Sequence, residues 1–336
     1  MIKAYVLLVI ILGFVSLPRY VTELSPLIRE TSSEVPHVSF TPVTMLFVGD
    51  IMLGRDVENY LNKEGGGYPF QRIGDLLQKP DLLIGNFEGI VQEPHVQAPS
   101  MTFQFSIRRE YLNALRDAGF DILSLSNNHS SDYGDAARAL TQELCVSYNL
   151  SCIGDARHVT TSVYEAHGTR IGILFGHTTW GNQTNDSFVT AMRTLTTESD
   201  IQIAYMHWGN EYVLVHNESQ QVLAEALIDA GGDAIIGHHP HVVQDVALYK
   251  GKPIFYSLGN FIFDQYWNEH VQTGLGVAVS AHEDSITYTL IPFTTKDMRN
   301  QPALMDEESA RVLIERVFAS IDAPESITIS RFEGSL

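Results

Sequence analysis

Five separated segments carry the side chains with which this chain can do chemistry. They are Gly49-Asp50-Ile51-Met52-Leu53-Gly54, Asn86-Phe87-Glu88-Gly89, Ser126-Asn127-Asn128-His129, His207-Trp208-Gly209-Asn210-Glu211 and Gly237-His238-His239-Pro240-His241. Between them they offer Asp, Glu, Asn and His, a hard-to-borderline donor set suited to Mn²⁺, Zn²⁺, Fe²⁺ or Mg²⁺. His239 and His241 stand two apart, so in an extended segment both rings face one way, and Pro240 fixes the backbone between them as a metal clamp. Asn86 and Glu88 share a face on the same condition, and a Glu at that point can bridge two ions. The Asn128 carbonyl oxygen is a further ligand. Next to it His129 can donate a proton, with Asp132 three residues on to orient the imidazole. Asp50 reads either as a ligand or as a cap for the helix that follows, and His207 either as a ligand or as a core imidazole. Asn86, His177, Glu211, His238 and Asn260 are candidates for the lining of the same cleft, as is Asp264.

The elements that position these groups follow from what precedes them. Val43–Val48, Leu82–Ile84, Ile122–Leu125, Ile201–Met206 and Ala234–Ile236 are short apolar runs rich in β-branched residues, which read as buried strands. Polar residues just past strand ends are where an α/β fold builds its site. Helices are expected at Arg55–Lys63, Tyr111–Ala118, Asp135–Asn149, Ser219–Ala230 and Asp306–Ile321. Further strands are expected at Ile171–Phe175, Val242–Leu248, Ile254–Ser257, Gly276–Ser280, Ile286–Ile291 and Ile327–Phe332. The later strands lack intervening helices, so part of the sheet system is antiparallel. The pattern fits two packed sheets with helices on both outer faces.

The chain has 336 residues and a formal net charge of −19. That is enough for one large core, and it argues against nucleic acid as a partner. An anionic polymer is repelled overall unless a metal or a local basic patch receives it. Cys145 and Cys152 either close a small disulfide in an oxidising space or stay as buried thiols. No sulfur-rich zinc spacing occurs. Ile2–Leu17 is apolar apart from Lys3 and Ser16. As a helix it spans about 24 Å at ~1.5 Å per residue, which suits a cleaved signal peptide or a short signal anchor. Either places the rest outside the cytoplasm, at the outer face of the cell membrane or secreted. The expected organisation is residues 1–18 as signal or anchor, 19–41 as linker, 42–300 as the main domain, and 301–336 as a C-terminal helix and tail.

The order Asp, acid, Asn-His, His, His-x-His is similar to that of the calcineurin-like metallophosphoesterases. Fuller strings narrow the likeness: Val48-Gly49-Asp50-Ile51-Met52-Leu53-Gly54-Arg55, Asn86-Phe87-Glu88-Gly89, Asn127-Asn128-His129, His207-Trp208-Gly209-Asn210-Glu211-Tyr212, His239-Pro240-His241-Val242-Val243-Gln244 and Tyr256-Ser257-Leu258-Gly259-Asn260-Phe261. Across Val43–Phe293 the chain resembles the CapA (PgsA) family of capsule and poly-γ-glutamate synthesis proteins. The resemblance implies a four-layer α/β/β/α sandwich of metallophosphoesterase type with mixed sheets. It also implies a tethered extracytoplasmic domain and a role beside capsule-synthase subunits in making or exporting an anionic polymer. Carried over by position, one metal site uses Glu88, Asn128, His207 and His239, and a second uses Asp50, Glu88 and His241. The phosphoesterase pattern opens Asp-x-His, and here the His position is Met52. A thioether is a poor ligand for these ions, so the second site is one ligand short and the count is one or two ions per chain.

Three functions compete. The first is a weakly catalytic or non-hydrolytic component of a capsule polymer machine, holding polymer carboxylates through a divalent ion. The second is a metal-dependent hydrolase of a phosphoester, or of another ester or amide, in which the ion activates water and His129 is the general acid. The third is a secreted binding module with structural metal, which usually favours Cys and compact spacing.

Overall fold

The computed structural model describes residues 41–179, 184–283, 285–321 and 326–329. The expected signal segment and nearly all of the expected linker lie outside them. The first stretch runs β1 Val43–Ile51, α1 Arg55–Glu64, α2 Gly74–Leu77, β2 Leu82–Phe87, β3 Ile90–Val91, β4 Ser106–Ile107, α3 Glu110–Asp117, β5 Ile122–Ser124, α4 Gly134–Ser147 and β6 Ser151–Ile153. Next come β7 Thr160–Ala166, β8 Thr169–His177, α5 Asn185–Glu198, β9 Ile201–His207, α6 Glu218–Asp229, β10 Ala234–His238, β11 Val246–Tyr249 and β12 Lys252–Phe255. The chain closes with β13 Asn260–Ile262, β14 Thr273–Ala281, β15 Ile286–Thr294, β16 Ala303–Leu304, α7 Glu307–Val317 and β17 Ile327–Ile329.

Two mixed sheets result. The first has the order β16-β15-β14-β1-β2-β5-β6, with β13 beside β1 and β17 beside β15. The second has the order β11-β12-β10-β9-β8-β7. Three apolar clusters separate four layers. Leu46, Val48, Leu83 and Leu123 pack outward on α1, α3 and α4 through Val57, Leu61, Leu112, Leu115 and Leu144. Met45, Phe47, Ile84 and Ile122 pack inward on Ile173, Phe175, Ile203, Tyr205 and Ile236 of the second sheet. Leu174, Ala204, Met206 and Ile235 pack on α5 and α6 through Phe188, Met192, Leu195, Leu223 and Leu227. This is the α/β/β/α order expected from the sequence. Each such fully buried side chain contributes about 1.5–3 kcal/mol by leaving water. Leu313, Ile314 and Val317 of α7 join the inter-sheet layer, so the C-terminal helix shares the main core.

The same period-two alternation that fills this core delivers the site. Ile171, Ile173 and Phe175 of β8 face the inter-sheet layer, and His177 is the next residue of that phase. In β9 the phase is Ile201, Ile203, Tyr205 and then His207, and in β10 it is Ala234, Ile236 and then His238. His177 pairs with His207, and His207 pairs with His238. Three imidazoles therefore stand in a row across neighbouring strand ends. In the first sheet, Ile84 of β2 is followed two residues on by Asn86. The pairing of β1 with β2 shifts between Phe47 and Asp50, and Asp50 lies opposite Asn86. Gly49 permits the closing contact: a Cβ there would lie 1.9 Å from Gly259 O, where the Asp50 amide donates to that same oxygen at 2.9 Å.

Three local readings change. Val242–Leu248 is strand only from Val246, because the chain leaves β10 through a turn. His239 and His241 have φ of 98° and 57°, so the extended segment expected there is instead left-handed. A helix, α5, fills a stretch for which the sequence reading proposed no element.

Cys145 and Cys152 form a disulfide between α4 and β6, with Cα atoms 5.9 Å apart. Closing so short a loop restricts the unfolded chain by about 2–3 kcal/mol. Replacing both cysteines with serine is expected to lower the urea unfolding free energy by that amount, and an unchanged midpoint would refute it.

Candidate metal centre

The site lies where the inter-sheet layer opens at the ends of β1, β2, β9 and β10. Asp50 and Glu88 are fully buried, and His207, His239 and His241 are almost so. One ligand atom each from Asp50, Glu88 and His207 lie within 4.8 Å of one another, a grouping that can hold a metal ion. Asn86, expected in the cleft lining, is instead a buried hub. Its Nδ2 donates to Asp50 Oδ1 at 2.8 Å, to Glu88 Oε1 at 3.1 Å and to His207 Nδ1 at 3.1 Å. Asn127, unassigned by the sequence reading, donates through Nδ2 to Asn86 Oδ1 at 3.2 Å and to the Phe87 carbonyl at 2.9 Å.

Glu88 is central. Its Oε2 is buried without a hydrogen-bond partner among the described residues. It lies 3.9 Å from His241 Nε2 and 4.0 Å from His129 Nε2, spans that two ligands at ~2.0–2.2 Å from one ion can bridge. Asn128 Oδ1 accepts from His207 Nε2 at 2.7 Å. His239 Nδ1 is buried and without a partner, and its ring centroid is 4.7 Å from that of His207. His241 Nδ1 donates to Asn260 Oδ1 at 3.0 Å, which turns Nε2 toward Glu88 in the manner of a second-shell partner. Buried oxygen and nitrogen atoms left unpaired, here Glu88 Oε2 and His239 Nδ1, are costly unless something else binds them. The donor set contains no sulfur, so the residues fit a hard or borderline divalent ion.

Met52 does not take part. It packs in the helix-side cluster, and its Sδ accepts from the Gly54 amide at 3.0 Å. His238, expected in the cleft, is fully buried. Its Nδ1 lies 3.3 Å from Asp50 Oδ1 and its ring packs 4.3 Å from Tyr205. His177 is also fully buried rather than cleft-lining; it bonds Thr179 Oγ1 and, at 3.2 Å, the Ala156 carbonyl. Glu211, by contrast, lies in the open cleft with His129, His241 and Asp264.

Electrostatics divide the cluster. Burial holds His207 below the usual imidazole range, helped by the neighbouring His239 and His177. Burial takes His239 down to about 3, with His241 adding to the effect. Both rings are thus neutral, the form that binds metal. Burial pushes Glu88 well above the usual carboxylate range, and the charge on Asp50 adds to it; a cation at Oε2 offsets both. For Asp50 burial acts upward, but hydrogen bonding and charge from His238 and His241 prevail and hold it well below.

Beside the cluster stands a second constellation. His129 Nδ1 donates to Asp132 Oδ2 at 2.9 Å, and the Phe105 amide donates to the same oxygen at 2.8 Å. The Phe105 ring stacks on the His129 ring at 3.8 Å. The Arg55 guanidinium lies 4.6 Å from the Phe105 ring and is paired with Asp264, while its Nη1 donates to the Thr102 carbonyl at 2.7 Å. Arg55 itself has φ of 48°, a strained conformation of the kind held at functional sites. The sequence reading missed Phe105, and nothing in its spacing signals the stack.

Residues 44–265 match the family described as bacterial capsule synthesis protein PGA_cap, a span holding every residue named in the cluster. The chain is 32% identical over 302 residues to the capsule biosynthesis protein CapA of Bacillus anthracis, covering 77% of this chain and 72% of that protein. It is 32% identical over 241 residues to the PGA biosynthesis protein CapA of Bacillus subtilis strain 168, covering 66% of this chain and 63% of that one. Among solved structures, a putative 5'-nucleotidase from Staphylococcus aureus in complex with alpha-ketoglutarate superposes with a TM-score of 0.47 at 13% identity, covering 80% of this chain and 55% of that one.

Proposed function

Since this chain belongs to the PGA_cap family of bacterial capsule synthesis proteins, we propose that it handles a capsular anionic polymer such as poly-γ-glutamate outside the cytoplasm, through a divalent ion. The observation that carries the reading is the unpaired Glu88 Oε2 at the meeting point of both sheets, with unpaired His239 Nδ1 and the Asn128–His207 pair in the same cluster. Glu88 and His239 would hold the ion through these free atoms, with His241 Nε2, 3.9 Å from Glu88 Oε2, as a further donor. When bound, it supplies a local positive charge for carboxylates and polarises whatever oxygen it meets. In a chain of net charge −19, that charge is what lets a polyanion approach. The Cys145–Cys152 disulfide supports an oxidising compartment. The apolar Ile2–Leu17 segment supports a tether at the outer face of the membrane, with capsule-synthase subunits as neighbours.

The test is binding of γ-linked glutamate oligomers to the metal-loaded chain, followed by calorimetry with and without a chelator. Binding that the chelator abolishes is expected. A loaded chain that binds no oligomer and associates with no synthase subunit would overturn the reading.

The His129–Asp132 pair favours a second reading, hydrolysis of a phosphoester, ester or amide. Asp132 accepts the Nδ1 proton, which aims Nε2 toward Glu88 and the cleft, and the Phe105 stack holds the ring in plane. Nε2, which accepts from Asn128 Nδ2 at 3.1 Å, must exchange that bond for a proton before it can serve a leaving group. In this reading His129→Ala loses turnover while keeping its ion; no turnover with Mn²⁺, Zn²⁺, Fe²⁺ or Mg²⁺ counts against it.

A further inference from the structure

Asn86 Nδ2 sits where an ion between Asp50, Glu88 and His207 would sit. The three atoms it contacts, Asp50 Oδ1, Glu88 Oε1 and His207 Nδ1, lie 2.8, 3.1 and 3.1 Å away. They belong to the same three residues whose ligand atoms converge within 4.8 Å. An ion at ~2.0–2.2 Å from all three would fall inside the contact distance of the amide nitrogen. That nitrogen has no lone pair to offer as a ligand. Amide and ion therefore exclude one another at this point.

The orientation of the amide is fixed from behind. Asn127 Nδ2 donates to Asn86 Oδ1, and Asn127 is itself tied to the Phe87 carbonyl. Turning the amide over would aim its oxygen at two carboxylates and break the Asn127 bond. Asn86 is also 1% exposed, so water does not compete for its protons. An NH₂ group has two protons for these three acceptors, enough to quiet the cluster without a cation.

We propose that Asn86 is a built-in substitute for a cation: its amide closes the Asp50 side of the cluster and limits this chain to one divalent ion. The remaining open side is Glu88 Oε2 with His239 and the Nε2 edge of His241, 3.9 Å from that oxygen; His207 has no free nitrogen, since Nδ1 accepts from Asn86 and Nε2 donates to Asn128 Oδ1. A second site would thus be closed by a residue other than Met52, which packs in the helix-side cluster. The inference rests on the metal reading above but not on the polymer.

The experiment is metal content of the full chain by elemental analysis after equilibration with Mn²⁺, then dialysis. Manganese electron paramagnetic resonance then reports whether two ions lie within coupling distance. Wild type is expected to hold about one ion per chain, and Asn86→Asp about two, spin-coupled as in two-metal sites ~3.5–4 Å apart. Because Asn86→Asp adds a third buried carboxylate, Asn86→Ala serves as the second variant. It removes the amide without adding charge, and it is expected to admit a second, weaker ion. Two ions in wild type overturn the proposal, as do wild-type counts in both variants with native circular dichroism. A wild-type chain with no ion overturns both this proposal and the metal part of the functional reading. Loss of oligomer binding with one ion retained touches only the polymer.

Discussion

His239→Ala lowers the divalent-ion content of the purified chain from about one per chain to less than about a tenth, with affinity falling at least ~100-fold, beyond the 10–100-fold typical of losing a second-shell partner. His239 Nδ1 is unpaired and buried, so its removal costs no internal hydrogen bond and takes away a free imidazole donor. Asp50→Ala is expected to keep the ion, because Asp50 Oδ1 is held by the Asn86 amide and Oδ2 lies 3.2 Å from His241 Nδ1, on the ring edge away from Glu88. Elemental analysis after gel filtration reads both variants. Retention in His239→Ala, or loss in Asp50→Ala alone, would place the ion elsewhere.

The second large effect is acid lability of the metal-free chain. His239 is held down to about 3, by burial first and His241 next. His177 is held down to about 4, again by burial first. Unfolded, each imidazole titrates near ~6.5. Between the folded and unfolded values the unfolded chain binds more protons, so stability falls as pH falls. The contribution is complete above pH ~6.5 and drains toward pH 4 and then 3, at about 1.4 kcal/mol per pH unit for each ring. Glu88, raised by burial and Asp50, works in the opposite sense and offsets part of it. Asp50, held low, adds its own loss only at lower pH still. A net loss on the order of 3 kcal/mol is expected from pH 6.5 to 4.5, read from urea midpoints in the presence of a chelator. A flat midpoint would mean that these rings are already charged in the folded state.

The main strands and the polar residues at their ends were legible because burial leaves a plain mark: β-branched runs followed abruptly by Asp, Asn or His. So was the disulfide, as one of two readings. Other features were hidden for physical reasons. Phe188, Met192 and Leu195 of α5 have helical spacing, but Thr190, Thr194, Thr196 and Thr197 dilute its helix propensity. Strand β7 alternates half-buried with exposed residues, so its apolar signal is weak. The left-handed backbone at His239 and His241 carries no glycine to announce it. His238 and Asn86 look like cleft residues from their neighbours in sequence. Only the pairing of β9 with β10, and of β1 with β2, shows that both are enclosed.

Asp50, Glu88 and Asn128 come from one sheet and its loops, His207 and His239 from the other. An ion shared by Glu88 and His239 would fasten the two leaves of the sandwich at their open end. Its affinity and the cohesion of the leaves then draw on one free energy, and each must respond to changes in the other. Trimming Phe47 or Tyr205, whose rings meet across the leaves at 5.9 Å, weakens ion binding without touching a ligand. Titrating metal into such variants measures how firmly the leaves hold together.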